Sequence, residues 1–410
     1  MARQQVYIDV EPRESPLAPL KADIRSRYCR LPTQGGSGAL PKDKLIFYSN
    51  SRKRLLRYKE LISTFLDEEA YYFDLVIVHG ELFREQKFHN IDTFCMEHDL
   101  SPIDPTNGKA ISFVPRILFS TGVAGAGLDN VDIRGVHQDG YPPTLLDFIQ
   151  EGGRPARYPG ALPSDNRYRV NVSWQSFCSL LFRIFVVPVI EAERLEEERK
   201  ATNEAALLSQ PTSATSFNST VASQDSAALL TNNALAVRQY RNLLTVLRFI
   251  HLYPGCLHVK LENSCINPFV ATCHLPQPCR NACFFCQSSP ASKTIYRPFS
   301  RLGLSALLID VFVKNPGPIE SCGVQKIYTT LSTYIKPGSD EGFNQLVFCS
   351  TRKTIKVQEI QLVLLQLFAA GILEPKLAGK TLCCALTTDA TGNPNLNNDA
   401  FWTGISLLET

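Results

Sequence analysis

Two arginines three residues apart, Arg154 and Arg157, fall near the end of a stretch that reads STGVAGAGLDNVDIRGVHQDGYPPTLLDFIQEGGRPARYPGALPS from Ser120 to Ser164. Guanidinium groups are planar, permanently charged forks suited to the oxygens of a transferring phosphoryl group. The stretch begins as a strand running into small residues and glycines, where backbone amides can approach a phosphate or sugar without obstruction by Cβ atoms. Each feature also has a plain structural alternative. A glycine-rich turn can serve tight packing alone, and an arginine pair can anchor a carboxylate.

A second constellation is Cys256, Cys279, Cys283 and Cys286, within GCLHVKLENSCINPFVATCHLPQPCRNACFFC. Thiolates are soft, charged ligands, and four of them close a tetrahedral zinc site with no open position, which fastens a loop without doing chemistry. Cys265, Cys273 and His274 are rival donors, and burial as apolar side chains is the alternative for the whole group. Loss of these thiolates is expected to destabilise the region rather than abolish a chemical step.

Two elements of nucleotide hydrolysis are missing from the chain: a phosphate loop of the form G-x-x-x-x-G-K-[ST], and a carboxylate placed to hold magnesium. LAGKTL contains Gly379, Lys380 and Thr381, the terminal G-K-T of such a loop, but Glu374 stands where the first glycine belongs and no strand precedes it. DEEA, from Asp67, follows a helix and is a resemblance of letters only.

The elements that would position these groups alternate as parallel α/β architecture requires. LIFY (45–48) is a strand, followed by an amphipathic helix to about Leu66. LVIVH (75–79) is the next strand, and Arg84 to Met96 has helical spacing, with Phe88, Ile91, Phe94 and Cys95 on its buried face. RILFS (116–120) is a third strand. Two more follow around 134–137 and 168–174, with a helix from Thr144 to about Gln150 between them.

From Gln175 to Leu208 the pattern is helical and ends in the charged run EAERLEEERK, after which SQPTSATSFNSTVASQDS has no periodicity and reads as a flexible linker. Helical spacing resumes near Ala228 and runs to His251. Beyond the cysteines, VQEIQLVLLQLFAAGILEP reads as a helix, then TLCCALTT and AFWTGISLL as a hairpin, with Cys383 and Cys384 as core residues. A winged helix has this order, as do other small α+β domains. The expected division is a parallel α/β domain over 1–180, a helical extension over 181–208, a linker over 209–228, a helical zinc subdomain over 229–292 and an α+β domain over 293–410.

Length and composition agree with several domains, since 410 residues exceed one ordinary core. Hydrophobic residues at 44% and charged residues at 20% exclude a disordered or collagen-like chain. A net charge of +3 names no partner, but its distribution is uneven. Between Lys21 and Glu60 eleven Lys or Arg stand against three acidic residues, including Arg52, Lys53, Arg54, Arg57 and Lys59, a run able to face a phosphate backbone or merely to solvate a helix. The start, MARQQVYIDVEPRESP, lacks the apolar core of a signal peptide, so the thirteen cysteines are expected in a reducing compartment. No run approaches the ~18–20 apolar residues of a membrane span, the nearest being 184–190.

The order of these segments resembles motifs V and VI of the RecQ-type DNA helicases. Ser120, Thr121, Gly125, Gly127, Leu128 and Asp129 fall on the first, Gln150, Glu151, Gly153, Arg154 and Arg157 on the second, and Ala161 to Ser164 on a following G-L-P-S. Upstream, LIFYSNSR (45–52) resembles motif IV and HGELFREQK (79–87) the turn and helix after the second strand, so the resemblance covers about residues 3 to 180. The cysteine cluster follows where these helicases carry their zinc subdomain, with wider spacing here.

The resemblance implies a second RecA-like motor domain with a structural Zn2+, but without the half that binds ATP and Mg2+, which a first RecA-like domain in trans or on a longer chain would supply. It implies that Arg154 and Arg157 are arginine fingers, with Gln150 coupling ATP to DNA. It further implies that Gly127, Asp129 and Gly153 meet the nucleotide and that Ser49, Arg52 and Thr121 meet DNA, single-stranded or at duplex junctions. The implied activity is ATP-driven 3′ to 5′ unwinding in DNA repair or recombination, in the nucleus of a eukaryote. Pro155 and Ala156 depart from the usual Ala-Gly between the fingers and put the aim of Arg157 in doubt. The chain alone is expected not to hydrolyse ATP, either as a fragment of a motor or as a degenerate, non-catalytic nucleic-acid-binding relative. An RNA-directed motor of the same superfamily is the more distant alternative.

Overall fold

The computed structural model describes residues 6–11, 15–27, 44–71, 73–95, 115–122, 128, 132–157, 166–209, 222–251, 304, 308–309, 311–313, 319–320, 357–378 and 380–387. They fall into two compact units, one ending at Ser176 and the other beginning at Phe177.

Six strands form the sheet of the first unit: β1 (Tyr7–Glu11), β2 (Lys44–Ser49), β3 (Asp74–Val78), β4 (Arg116–Ser120), β5 (Ile133–Asp139) and β6 (Arg167–Asn171). Their order is β1-β6-β5-β2-β4-β3, and every pairing is parallel. The parallel α/β class expected for this part of the chain is therefore the class it has. β2 and β4 lie inside the sheet and are buried at every position, which is why LIFY and RILFS read as continuous apolar runs.

Helices α1 (Ala18–Arg27) and α2 (Arg52–Glu68) supply Leu20, Ile24, Leu55, Ile62 and Phe65 to one core, where they meet Leu45, Phe47, Ile117 and Phe119 from alternate positions of β2 and β4. Each such side chain contributes roughly 1.5–3 kcal/mol by leaving water. Asp23 of α1 joins that helix to β5 and β6. Its buried carboxylate takes Arg167 Nη1 at 2.9 Å and Arg169 Nη2 at 3.0 Å, and lies 3.2 Å from His137 Nε2.

Helix α3 (Arg84–Cys95) ends over two cations that are themselves fully buried. Lys44 Nζ donates to the Cys95 carbonyl at 3.1 Å, and Arg116 Nη1 to that of Phe94 at 3.5 Å. Cations at a helix C-terminus satisfy its last carbonyls and oppose its dipole. The expected buried face of α3 needs correction. Phe94 is buried, Ile91 and Cys95 are only partly so, and Phe88 is 54% exposed with Arg84 over its ring. The helix packs against β3 and β4, and β3 is the outermost strand, so less sheet is available to cover it.

Helix α4 (Leu145–Gly152) is capped by Thr144, whose hydroxyl accepts from Asp147 N at 3.1 Å, and it leads into a 3-10 turn over Arg154–Arg157. α5 (Trp174–Phe185) and α6 (Val187–Ser209) follow. The stretch Trp174–Thr202 is long and apolar enough, by length and composition, to cross a membrane. Counting only uninterrupted apolar residues overlooked it because Arg183 and the serines break the run without breaking the helix. Phe177, Leu181 and Val186 on this stretch are buried.

In the second unit α7 runs over Ala222–His251, so residues 222–228, expected to belong to the flexible linker, are helical; residues 210–221 lie outside the described set. α8 (Val357–Ala369) packs on α7, and Arg248 of α7 donates through Nε to the Ala369 carbonyl at 3.0 Å. Phe368 meets Phe177 edge-on at 5.0 Å between ring centroids. Three antiparallel strands, β7 (Ile319–Glu320), β8 (Leu373–Ala378) and β9 (Thr381–Leu386), are ordered β7-β9-β8.

Cys383 and Cys384 are buried in β9. A hairpin pairs LEPKLA with TLCCAL; AFWTGISLL, the partner the sequence suggested for TLCCALTT, lies outside the described residues. Lys380 and Thr381 follow a strand after all, but at the turn of an antiparallel hairpin rather than between a strand and a helix, so the GKT letters form no phosphate loop.

Candidate nucleic-acid interface

All six strands point the same way, so their carboxyl ends share one edge, the usual place for ligands on open parallel sheets. β2 ends there at Ser49 and turns through Asn50 and Ser51 into α2. Ser51 caps that helix by accepting from Arg54 N at 3.4 Å, and Asn50 Nδ2 donates to the Tyr141 carbonyl at 2.6 Å. The turn is thereby held, and the positive end of a 17-residue helix faces the edge. Arg52, Lys53 and Arg57 on its first turns are exposed.

Asp139, at the end of β5, organises the layer beneath. Its buried carboxylate accepts from Ser49 Oγ at 3.2 Å and pairs with Arg54 Nη1 at 3.3 Å. Burial raises its pKa, against the lowering effect of Arg54 and of hydrogen bonds from Ser49, Tyr58 and Asn171. Ser49, expected to contact DNA, therefore has its hydroxyl committed inside the domain. Gly140 follows with φ of +92°, a conformation that favours glycine, and donates its N–H to the Asn171 carbonyl at 3.0 Å.

The loop after β3 completes the edge. Arg52 forms an ion pair with Glu81, which fastens that loop to the first turn of α2. Lys87 Nζ donates to the Gly80 carbonyl at 2.7 Å. His79 is buried, and its pKa is lowered first by burial and then by the charges of Arg52 and Lys87. After β4, Thr121 is half-buried and its N–H reaches the Val78 carbonyl at 3.1 Å, extending the β3–β4 pairing by one residue.

The arginine motif lies on the opposite face of the sheet from α1 and α2. Arg154 is 3% exposed and donates through Nη1 to the Leu128 carbonyl at 2.8 Å, so it is turned into the fold rather than projecting from it. Beside it lies Glu151, 4% exposed, which accepts from Tyr168 Oη at 3.3 Å. Burial, with a smaller contribution from Asp147, pushes the Glu151 carboxyl up to about 8, while Tyr168 and Arg154 act in the opposite sense. Tyr48, also buried, lies within electrostatic reach of both Arg154 and Glu151, and its pKa is raised chiefly by burial.

Pro155 is buried in the 3-10 turn, whose φ suits the proline ring. Arg157 ends that turn, with its guanidinium outside what is described. Gln150 is exposed on α4. Gly153 closes α4 at an ordinary helical φ of −79°. The neighbouring Gly152 is the one whose lack of a side chain matters: a Cβ there would stand 2.7 Å from Tyr168 Cδ1.

Gly127, Asp129 and the proposed zinc ligands Cys256, Cys279, Cys283 and Cys286 lie outside the described residues. The structure thus brings Ser49, Arg52 and Thr121 to one edge, and Arg154 and Gly153 to another part of the same domain. Sequence reasoning placed Glu151 on the second motif without a role of its own and assigned no part to Asp139 or Tyr168. Glu151 had a signal, its place between Gln150 and the glycines, but its burial depends on Tyr168, 17 residues away.

No protein-family model matches the sequence, and no curated protein matches it. Local similarity is found to solved structures. One is the Mycobacterium smegmatis helicase Lhr bound to single-stranded DNA and AMP-PNP (13% identity, TM-score 0.27, covering 44% of this chain and 21% of that one). Others are domain 2 of the DEAD-box helicase Mss116p bound to an RNA duplex (13% identity, TM-score 0.30, 63% and 87%) and the C-terminal part of the Fun30 ATPase domain (17% identity, TM-score 0.22, 31% and 35%). The chain spans about a fifth of the length of the Lhr structure. At these TM-scores the fold assignment rests on the strand order and register described above.

Proposed function

We propose that the first unit is a nucleic-acid-binding domain of helicase type, which grips the sugar–phosphate backbone at the carboxyl edge of its sheet. The observation that carries this reading is the exposed pair Lys53 and Arg57, beside the Glu81-paired Arg52, on the capped, positive end of α2. Backbone amides and cations at a helix N-terminus suit phosphate oxygens and read no sequence. Binding to phosphates releases counterions, so affinity falls steeply with salt.

Fluorescence anisotropy with a labelled single-stranded oligothymidylate, titrated at rising salt, tests this. The double variant Lys53→Glu, Arg57→Glu should weaken binding and reduce the slope of log K against log salt by about two. Binding with no salt dependence, or an unchanged slope in the variant, overturns the reading.

The order of the motifs supports a finer assignment: the carboxyl-terminal half of a RecQ-type 3′ to 5′ DNA helicase, nuclear in a eukaryote. Arg154, Arg157 and Gln150 would then act on ATP and Mg2+ held by a first motor domain, with Gly127, Asp129 and Gly153 near the nucleotide and Thr121 on a DNA phosphate. Arg154 would first have to leave the Leu128 carbonyl. The thiolates of Cys256, Cys279, Cys283 and Cys286 would hold a structural Zn2+, supported by their spacing; one zinc per chain, lost in Cys283→Ser, is the expected metal content.

Burial of Arg154 favours a second reading, a non-catalytic binding module that keeps the fold without motor activity. Mixing the chain with a RecQ-type first motor domain separates the two. DNA-stimulated ATP hydrolysis above that of the first domain alone supports the motor, and none supports the module. The chain by itself should hydrolyse no ATP, since its sequence holds no phosphate loop.

A further inference from the structure

The loop fastened to α2 by the Arg52–Glu81 pair carries an aromatic side chain that the core does not use. Phe83 is 75% exposed, the most exposed large hydrophobic residue among those described. Its backbone is nonetheless held: the Phe83 N–H donates to Gln86 Oε1 at 3.2 Å, so the first turn of α3 fixes where the ring emerges. Phe88, by contrast, is covered on one face by Arg84, 5.5 Å from its centroid.

The surroundings of Phe83 are cationic rather than apolar. Arg52 and Lys53 stand at the adjoining helix end, and Arg84 and Lys87 follow on α3. Of the two nearby carboxylates, Glu81 is paired with Arg52 and Glu85 lies in the first turn of α3, against the positive end of that helix. A lone planar ring set among phosphate-binding charges matches the chemistry of single-stranded nucleic acid, whose bases stack on aromatic rings while cations follow the backbone.

We propose that Phe83 is a stacking platform for one nucleobase of a single strand whose phosphates lie along the α2 end. The inference rests on the phosphate-binding reading of this edge and adds to it a contact with the base. Recognition by stacking carries little sequence preference, because every base has a π-face.

The test uses the full chain with two labelled probes of equal length, an oligothymidylate and an abasic oligomer with the same phosphates and no bases. Phe83→Ala should weaken oligothymidylate binding by between about fivefold and 150-fold and leave abasic binding unchanged, and Phe83→Trp should restore it. Equal oligothymidylate affinity for wild type and Phe83→Ala, with salt-dependent binding intact, overturns the stacking role but not the phosphate reading. So does an unchanged affinity accompanied by loss of self-association in sedimentation, which would mark Phe83 as a contact between protein chains. Failure of the wild-type protein to bind either oligomer overturns both. The ring is exposed and the backbone contact with Gln86 does not involve it, so an unchanged circular dichroism spectrum is expected for both variants.

Discussion

Replacing Glu151 with glutamine should remove a pH dependence from the stability of the first unit. The carboxyl is buried beside Tyr168, and its pKa is pushed from an ordinary 4.5 to about 8, by burial first and Asp147 second. In the unfolded chain it returns to its ordinary value. Between the two values the folded protein holds a proton that the unfolded protein has released, so stability falls as pH rises. This contribution is fully present below about pH 4.5 and is lost on passing through about pH 8.

The slope is at most about 1.4 kcal/mol per pH unit, and the loss across the interval is about 5 kcal/mol as an upper limit. Glutamine preserves the size and offers an acceptor to Tyr168 Oη, but it cannot ionise. Urea unfolding of wild type and Glu151→Gln at pH values from about 5 to about 8 measures the difference. The stability of the variant relative to wild type should grow by roughly 1 kcal/mol per unit and level off near the top of that range. Parallel curves would show that the carboxyl is not held protonated in this core, and the burial argument would fail.

Gly152→Ala should destabilise by about 1–3 kcal/mol in the same assay, because its Cβ would collide with the buried Tyr168 ring and outweigh the ~1 kcal/mol that alanine ordinarily gains over glycine in a helix. On α3, Phe94→Ala should cost about 3–5 kcal/mol whereas Phe88→Ser should change stability by less than about 0.5 kcal/mol; equal losses would contradict the exposure of Phe88. Asp23→Ala should cost about 3 kcal/mol, since it leaves Arg167, Arg169 and His137 without their shared carboxylate, and hydrogen exchange should show α1 opening first.

Sequence alone determined the elements of the first unit from Lys44 onward, but not β1 or α1 before them. The apolar runs 45–48, 75–79 and 116–120 are strands in the structure, and the helices between them begin and end within a few residues of where caps and periodicity place them. These signals are local: Thr144 caps α4 through Asp147, three residues on, and β-branched or aromatic runs between helices have few other ways to be buried. The basic run at the start of α2 was likewise legible, because exposure of Arg52, Lys53 and Arg57 follows from the helix period once Leu55 and Ile62 face the core.

Only the tertiary structure decided which charged and aromatic groups turn inward. Arg154 reads as a projecting cation, yet it meets the Leu128 carbonyl 26 residues earlier, and Ser49 meets Asp139 90 residues later. Phe88 reads as core, yet β3 proves to be the last strand of the sheet and leaves it uncovered. Strand order is set by contacts between distant segments, whose closure a one-dimensional pattern does not record, and it is strand order that decides whether a side chain on a given face finds protein or water.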